Sequence, residues 1–425
     1  MLTEVAEILG VLTKVAGLGV LTEVAENRAA RQTGGVLTEV AENRAARRIG
    51  EFRRALGRAG YDQANLQALL GPADPRLSPD EQRCLWLWRA RDTGDARAVL
   101  ARLFLLESPV PLRAGRRALG EAALSGARAL GLVRVHGATL EPLVQLGIHA
   151  GLIIAGDLEF GSADARRRDH SAGPNTATLL LDRMTVRRPV DRALDLGCGG
   201  GYLALRLAAH ASVVWATDVS RRALRHGRLN AALNGIGHVQ FATSERFSGL
   251  GRRTFGLIVG NLPFVISPER RFVFRDAGLR RDGFLESVVR ATGRHLVDGG
   301  MAQYLGQWAH GDEAPEHGAA EEARLARWVH AAGCDALIIR LEREPVDAYA
   351  SRWLAGPGRP LSAVERGRRM ARWMAYYRAA NITAISTGLF CLRRRAGGRH
   401  VFAIEASSPA APPTGAEIAA WFDAI

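Results

Sequence analysis

From about residue 175 onward the sequence alternates short aliphatic, β-branched runs with amphipathic helical stretches, and this alternation constrains the chain more than any other feature. A repeat of that kind buries both faces of a parallel sheet under helices. Strands are expected at 191–197, 212–218, 238–243, 255–261, 300–307, 334–342 and 383–394, with helices at 201–210, 220–234, 283–296 and 319–332. HVFAIEAS (400–407) adds a candidate edge strand, and AEIAAWFDAI (416–425) a terminal helix after a Pro/Ala-rich linker. No element is assigned to 343–382. The fold class is α/β, and in open sheets of this class ligands sit at the carboxyl ends of the strands.

At 425 residues the chain exceeds one ordinary domain. Residues 1–49 are repetitive: VLTEVAENRAARQTGG (20–35) returns as VLTEVAENRAARRIGE (36–51). Too few copies are present for a solenoid, so a dispensable low-complexity extension is expected. Residues 50–160 read as a second, mainly helical unit. Within it, Ser78, Pro79 and Glu81 form a helix-start signature. Helical spacing over 115–133 and strand-like runs at LVRVHG, LVQLGIHAGL and LIIAGDL suggest a winged-helix-like module. The sheet-bearing domain is assigned to 161–395, and a strand and helix to 396–425.

No apolar run reaches the roughly 18–20 residues that a membrane helix needs, and a soluble, cytoplasmic protein without membrane contact is expected. Cys84, Cys198, Cys334 and Cys391 are too dispersed for a CxxC pair, so reduced thiols and no metal are expected. The formal charge of +14 invites a nucleic-acid reading. However, Lys14 is the only lysine and the arginines are scattered, which favours solvated helix faces and leaves nucleic acid open.

Three strand ends carry the candidate site. LDLGCGGGYLAL places Asp195 ahead of Gly197, Gly199 and Gly201. Glycines in such a turn let backbone approach a ligand and let the helix start tight against the strand. A dinucleotide fingerprint would need its third glycine where Tyr202 stands. WATDVS ends in Asp218, which can accept both ribose hydroxyls of an adenosine or cap the next helix. The fourth strand ends in Asn261-Leu262-Pro263-Phe264. A conjugated amine or amide nitrogen has a delocalised lone pair and must be aimed to react. The Asn oxygen and the next carbonyl can accept its N–H groups, an aromatic ring can stack on its plane, and proline stiffens the turn. The same four residues also suit an ordinary strand-ending turn.

D-x-G-x-G-x-G resembles motif I of the class I S-adenosylmethionine (SAM)-dependent methyltransferases. N-L-P-F resembles the N-P-P-F/Y motif of those that modify planar nitrogens, including adenine-N6 and release-factor glutamine enzymes. Over about 170–395 the chain is similar to the small-domain (MTS-type) branch, through LDLGCGGGYLAL, ATDVSRRALRHGRLNAALNG, FGLIVGNLPFVISP and GMAQYLGQWAH. The resemblance implies a Rossmann-like, seven-stranded methyltransferase sheet whose seventh strand, 383–394, lies antiparallel beside the sixth. It implies SAM as cofactor, contacted by Asp195, Gly197, Gly199, Gly201 and Asp218. Asn261, Leu262, Pro263 and Phe264 would hold the target nitrogen. Where relatives carry an acid for the adenine amine, this chain has Ser244 and Glu245. Leu262 replaces the motif's first proline, and Leu262→Pro is expected to be tolerated.

Softer candidates are Thr176 in a segment closing over SAM, Arg275 and Asp276 in the substrate pocket, Trp308, and His310 as a base. The acceptor is expected to be a small molecule or protein side chain, ahead of an RNA or DNA base. An NAD-dependent oxidoreductase is disfavoured by Tyr202 and by the lack of any lysine but Lys14. A non-catalytic SAM-binding protein remains as the third reading.

Overall fold

The computed structural model describes residues 31–159, 169–269, 281–311, 318–354 and 362–425. The N-terminal module consists of α1 (Arg31–Arg58), α2 (Gln63–Leu70), α3 (Pro79–Arg89), α4 (Ala96–Leu100, followed by a π turn), β1 (Val110–Pro111), α5 (Leu112–Leu119), α6 (Glu121–Ala129), β2 (Val133–His136), β3 (Thr139–Pro142), β4 (Gln145–His149) and β5 (Leu152–Gly156). The capping box forms as its residues dictate, with Ser78 and Glu81 satisfying each other's backbone N–H groups. The stretch 115–133 is two helices rather than one, because Gly120 turns left-handed between them (φ 78°). A three-stranded sheet in the order β1-β3-β2 backs these helices, while β4 and β5 form a separate antiparallel hairpin.

The expected boundary at residue 49 falls inside α1. Ala45 and Ile49 are 1% and 3% exposed, and Ile49 packs in one cluster with Phe52 and Leu56. The end of the second copy, from Ala45 on, therefore belongs to the fold, since Ala45 and Ile49 are buried along the same helix as Phe52 and Leu56. Residues 1–30 lie outside the described residues.

The larger domain runs α7 (Thr176–Met184), β6 (Val190–Leu196), α8 (Tyr202–Leu207), β7 (Ala211–Asp218), α9 (Arg221–Asn234), β8 (Val239–Thr243), β9 (Phe255–Asn261), α10 (Gly283–Thr292), β10 (Leu296–His310), α11 (Gly318–Ala332), β11 (Cys334–Pro345), α12 (Val346–Leu354), α13 (Ala363–Ala379), β12 (Ala384–Arg394), β13 (Phe402–Ala406) and α14 (Gly415–Asp423). Its sheet has the order β13-β11-β12-β10-β9-β6-β7-β8. β12 is antiparallel to β10 and β11, and every other pairing is parallel. The α/β class, the antiparallel strand beside the sixth and the edge strand within 400–407 are as expected, and among the described residues β13 brings the seven strands of the methyltransferase sheet to eight.

Burial on both faces explains the near-continuous apolar strands. Ala193, Val214 and Leu257 point to one helical layer, and Leu194, Leu196 and Ile258 to the other. β10 outruns its expected span because β12 pairs with it from Met301 to His310. α12 and α13, absent from the sequence reading, fill the connection between β11 and β12. α14 packs Ile418 and Phe422 into the core, and a Cβ on Gly415 would come within 2.0 Å of the Thr185 carbonyl.

Candidate active site

At the carboxyl edge of the sheet lies a cavity of about 560 Å³, within the roughly 300–1,000 Å³ typical of small-ligand clefts. The turn after β6 forms its floor. Gly197 and Gly199 take left-handed backbone (φ 74° and 52°), and a Cβ on either would meet nothing within 4 Å. The space above them is therefore open to a ligand. The N–H groups of Gly197 and Cys198 both donate to the Thr217 carbonyl (2.8 and 2.9 Å), which ties the loop to β7.

Asp218 ends β7 beside this loop. One carboxylate oxygen accepts from Gly199 N (2.9 Å) and the other from Ser220 N (2.7 Å). Burial raises its pKa above the usual carboxylate value. Asp195, 1% exposed, accepts from Ala204 N through Oδ2 (2.8 Å). Its Oδ1 has no partner among the described residues. Burial, reinforced by Asp218, pushes its pKa up to about 7. An open glycine cradle, a strand-end acid and an orphaned carboxylate oxygen suit a ligand with ribose hydroxyls and an ammonium group, which is what SAM presents.

Not every expected cofactor contact lines the cavity. Gly201 does not: a Cβ there would lie 2.9 Å from Phe241 Cε1, so this glycine serves helix packing. Ser244 does line it, but its hydroxyl donates to Arg246 O (2.8 Å) and accepts from Gly249 N (2.9 Å), organising its own loop. Glu245 lines the cavity with an exposed carboxylate.

Across the cavity stand Asn261, Leu262 and Pro263. Asn261 Nδ2 donates to Thr178 Oγ1 (2.9 Å), while Asn261 Oδ1 is buried without a partner among the described residues. The Thr178 hydroxyl donates in turn to Asn175 Oδ1 (3.0 Å). That relay fixes the amide with its oxygen as the free acceptor. Thr176, the expected contact, is only the first residue of α7; Asn175 caps the helix and Thr178 reaches the site. Asn at a helix start was the legible signal here.

Phe264 is not among the residues lining the cavity; it packs between two core clusters. Leu262 is 3% exposed and packs with Leu194, Phe247 and Leu285. Proline cannot fill that space, so the expected tolerance of Leu262→Pro gives way to a packing cost. Behind the turn, the Tyr349 hydroxyl accepts from Ile266 N (3.1 Å) and the Tyr377 hydroxyl donates to Ile266 O (2.8 Å). These clamps come from α12 and α13 and had no counterpart in the sequence reading.

His310 lies outside the cavity lining. Its Nε2 is 2.7 Å from Ser386 Oγ, and burial pushes its pKa down to about 4. Trp308 is fully buried and donates to Glu321. Both belong to a structural polar cluster. Arg275 and Asp276 lie outside the described residues. Among the described residues, no group of three or more His, Cys, Asp or Glu is placed to hold a metal, and no helix is long and apolar enough to cross a membrane. Cys198, Cys334 and Cys391 are buried free thiols, and Cys84 is exposed.

The family described as methyltransferase small domain matches residues 173–301, and a domain of unknown function, DUF7059, matches 58–143. The release factor glutamine methyltransferase of Deinococcus radiodurans is 38% identical over 125 residues, 28% of this chain and 44% of that protein. The ribosomal RNA small subunit methyltransferase C of Salmonella arizonae is 33% identical over 124 residues, 29% of this chain and 32% of that protein. The YcgJ protein of Bacillus subtilis, a solved structure, aligns over 52% of this chain and 98% of its own at 14% identity and a TM-score of 0.33. The chain thus spans less than half the length of these two curated relatives. The matched segment, 173–301, contains the glycine loop, Asp218 and the N-L-P-F turn, so it is over the site itself that the chain is similar to the methyltransferase small domain.

Proposed function

We propose that the chain is a SAM-dependent methyltransferase acting on a planar nitrogen of a protein side chain or small molecule. The observation that carries this reading is the fixed amide of Asn261, which lines a cavity with a glycine cradle and whose oxygen has no partner among the described residues. When bound, SAM supplies an electrophilic methyl group. Gly197 and Gly199 admit its backbone-facing side, Asp218 accepts its ribose hydroxyls, and Asp195 Oδ1 meets its ammonium. Asn261 Oδ1 accepts an N–H of the acceptor and holds that nitrogen in line. Preorganised acceptors of this kind cost little reorganisation during reaction, which is why they accelerate it. The relative named for release factor glutamine supports an amide acceptor, since a glutamine side chain presents a planar nitrogen.

An RNA or DNA base is the second reading, favoured by the charge of +14 and by the relative named for ribosomal RNA. Incubation with methyl-labelled SAM and fractionated cell extract separates these. Label in N-methylated protein or metabolite supports the first reading, and label in nucleic acid supports the second. Tight SAM binding with no label transferred overturns both in favour of a non-catalytic SAM-binding protein.

A further inference from the structure

The hairpin strand β5 pairs with β4 in the N-terminal module, yet its outward edge faces α9 of the larger domain and its Ile154 lines the cofactor cavity. An edge strand needs partners for its outward N–H and C=O groups. Two asparagines one turn apart on α9 supply them. Asn234 Oδ1 accepts from Ile153 N (2.9 Å) and its Nδ2 donates to Ile153 O (2.8 Å). Asn230 Oδ1 accepts from Ala155 N (2.7 Å) and its Nδ2 donates to Ala155 O (3.1 Å). Asparagine is a poor residue for a helix interior, so Asn230 needs such a reason, whereas Asn234 is the last residue of the helix.

The two amides differ in where their second hydrogen goes. Asn234 Nδ2 returns it to Asn230 O, within its own helix (2.8 Å). Asn230 Nδ2 gives it to Gly200 O, in the glycine loop (2.9 Å). Asn230 is fully buried. Just beyond β5, Asp157 grips the opposite wall of the cavity. Its N–H donates to Ser171 O (2.8 Å) and its Oδ2 accepts from Ser171 N (2.9 Å), and Ser171 lines the cavity. Arg222 holds the same carboxylate through Nε (2.8 Å). β5 and the residue that follows it are thus joined to the floor of the cavity through Asn230 and to a wall through Asp157.

We propose that Asn230 and Asp157 are positioning residues for the cofactor, and that hairpin docking and SAM binding are thermodynamically linked through them. The inference rests on the reading that this cavity takes SAM. A loop that must be ordered at binding lowers affinity by the free energy of ordering it, and a prepaid hydrogen bond removes that term.

The test uses the full chain, with SAM as titrant in calorimetry and thermal melts alongside. Asn230→Ala and Asn234→Ala each remove two hydrogen bonds to β5 and lower the thermal midpoint, but Asn234→Ala leaves the Ala155–Asn230–Gly200 connection in place. Only Asn230→Ala raises the Kd for SAM, by about tenfold, the loss of one hydrogen bond to the loop. Asp157→Ala, whose surroundings reach solvent through Arg222, gives a second reading and raises Kd several-fold. Unchanged affinity in both Asn230→Ala and Asp157→Ala overturns the linkage, as does an equal loss in Asn234→Ala. Should Asn230→Ala not fold, Asp157→Ala decides alone. A wild-type chain that binds no SAM overturns the cofactor reading and the linkage with it.

Discussion

The two halves of the cavity are built by different means. The cofactor half is held by backbone: left-handed glycines, the Thr217 carbonyl, and a carboxylate that caps two N–H groups. The half around Asn261 is held by side chains brought in from distant elements: Asn175 and Thr178 orient the Asn261 amide, and two tyrosines bond to the backbone of the turn behind it. Backbone geometry restricts residue choice at fixed local spacing. Side-chain relays can be recruited from anywhere in the chain, so this half is the one free to diverge.

If the halves are separable, variants in each should act on different quantities. The largest effect is expected at Asn261→Ala, with turnover falling about 10²–10³-fold. Its SAM affinity by calorimetry should match the wild type, and a parallel loss there would break the division. Asp218→Ala should do the reverse and weaken SAM binding by about 1–3 kcal/mol while leaving the acceptor KM unchanged. Unaltered SAM affinity would remove Asp218 from the cofactor half.

Thr178→Val tests the relay. With its partner gone, the Asn261 amide can turn, and kcat should drop by about tenfold, the worth of one hydrogen bond, with SAM affinity intact. Thr178→Ser should restore it, which a purely structural role for the methyl group would not allow.

The smallest effect is one of pH. Asp195 has its pKa raised from 3.8 to about 7, so it is ionised only above that range. A cationic ligand favours the carboxylate, so SAM affinity should be full above about pH 7. It should fall by at most roughly tenfold per pH unit below it, the limit for one linked proton. In the free protein the same group binds an extra proton between the two values, so its contribution to stability declines as pH rises through that window. Titrations at several pH values showing flat affinity would detach Asp195 from the ligand.

The difference also explains what the sequence made legible. In the cofactor half the bonds of the two strand-end acids span 9 residues, from Asp195 to Ala204, and 19, from Asp218 to Gly199, while those of Asn230 reach 30 residues to Gly200 and 75 to Ala155. A motif scan covers the distances of the two acids, and it located Gly197, Gly199 and Asp218 at the cavity. Asn261 meets Thr178 across 83 residues, Tyr349 meets Ile266 across 83, and Tyr377 meets Ile266 across 111. No local spacing encodes those pairs. Gly201 and Phe264 failed as contacts for a related reason: a motif position states residue type, whereas packing against Phe241 or the core clusters decides what the residue touches. In the fold, strands with apolar patterning were readable. α12 and α13, rich in arginine and aromatic residues, have no counterpart among the expected elements.

The seating of α14 on Thr185 has a consequence for synthesis. The residues that α14 covers leave the ribosome more than two hundred positions before α14 does. At about 5–20 residues per second, that interval is roughly 10–50 s. During it, Leu181 and Met184 have a sheet to pack on only in part, and the seat of Ile418 and Phe422 stands bare. The N-terminal module, whose elements are all made by β5, can offer α9 its docking edge early, whereas the larger domain closes only once α14 has been made. Nascent chains arrested before residue 415 should thus expose apolar surface to chaperones that the finished protein conceals.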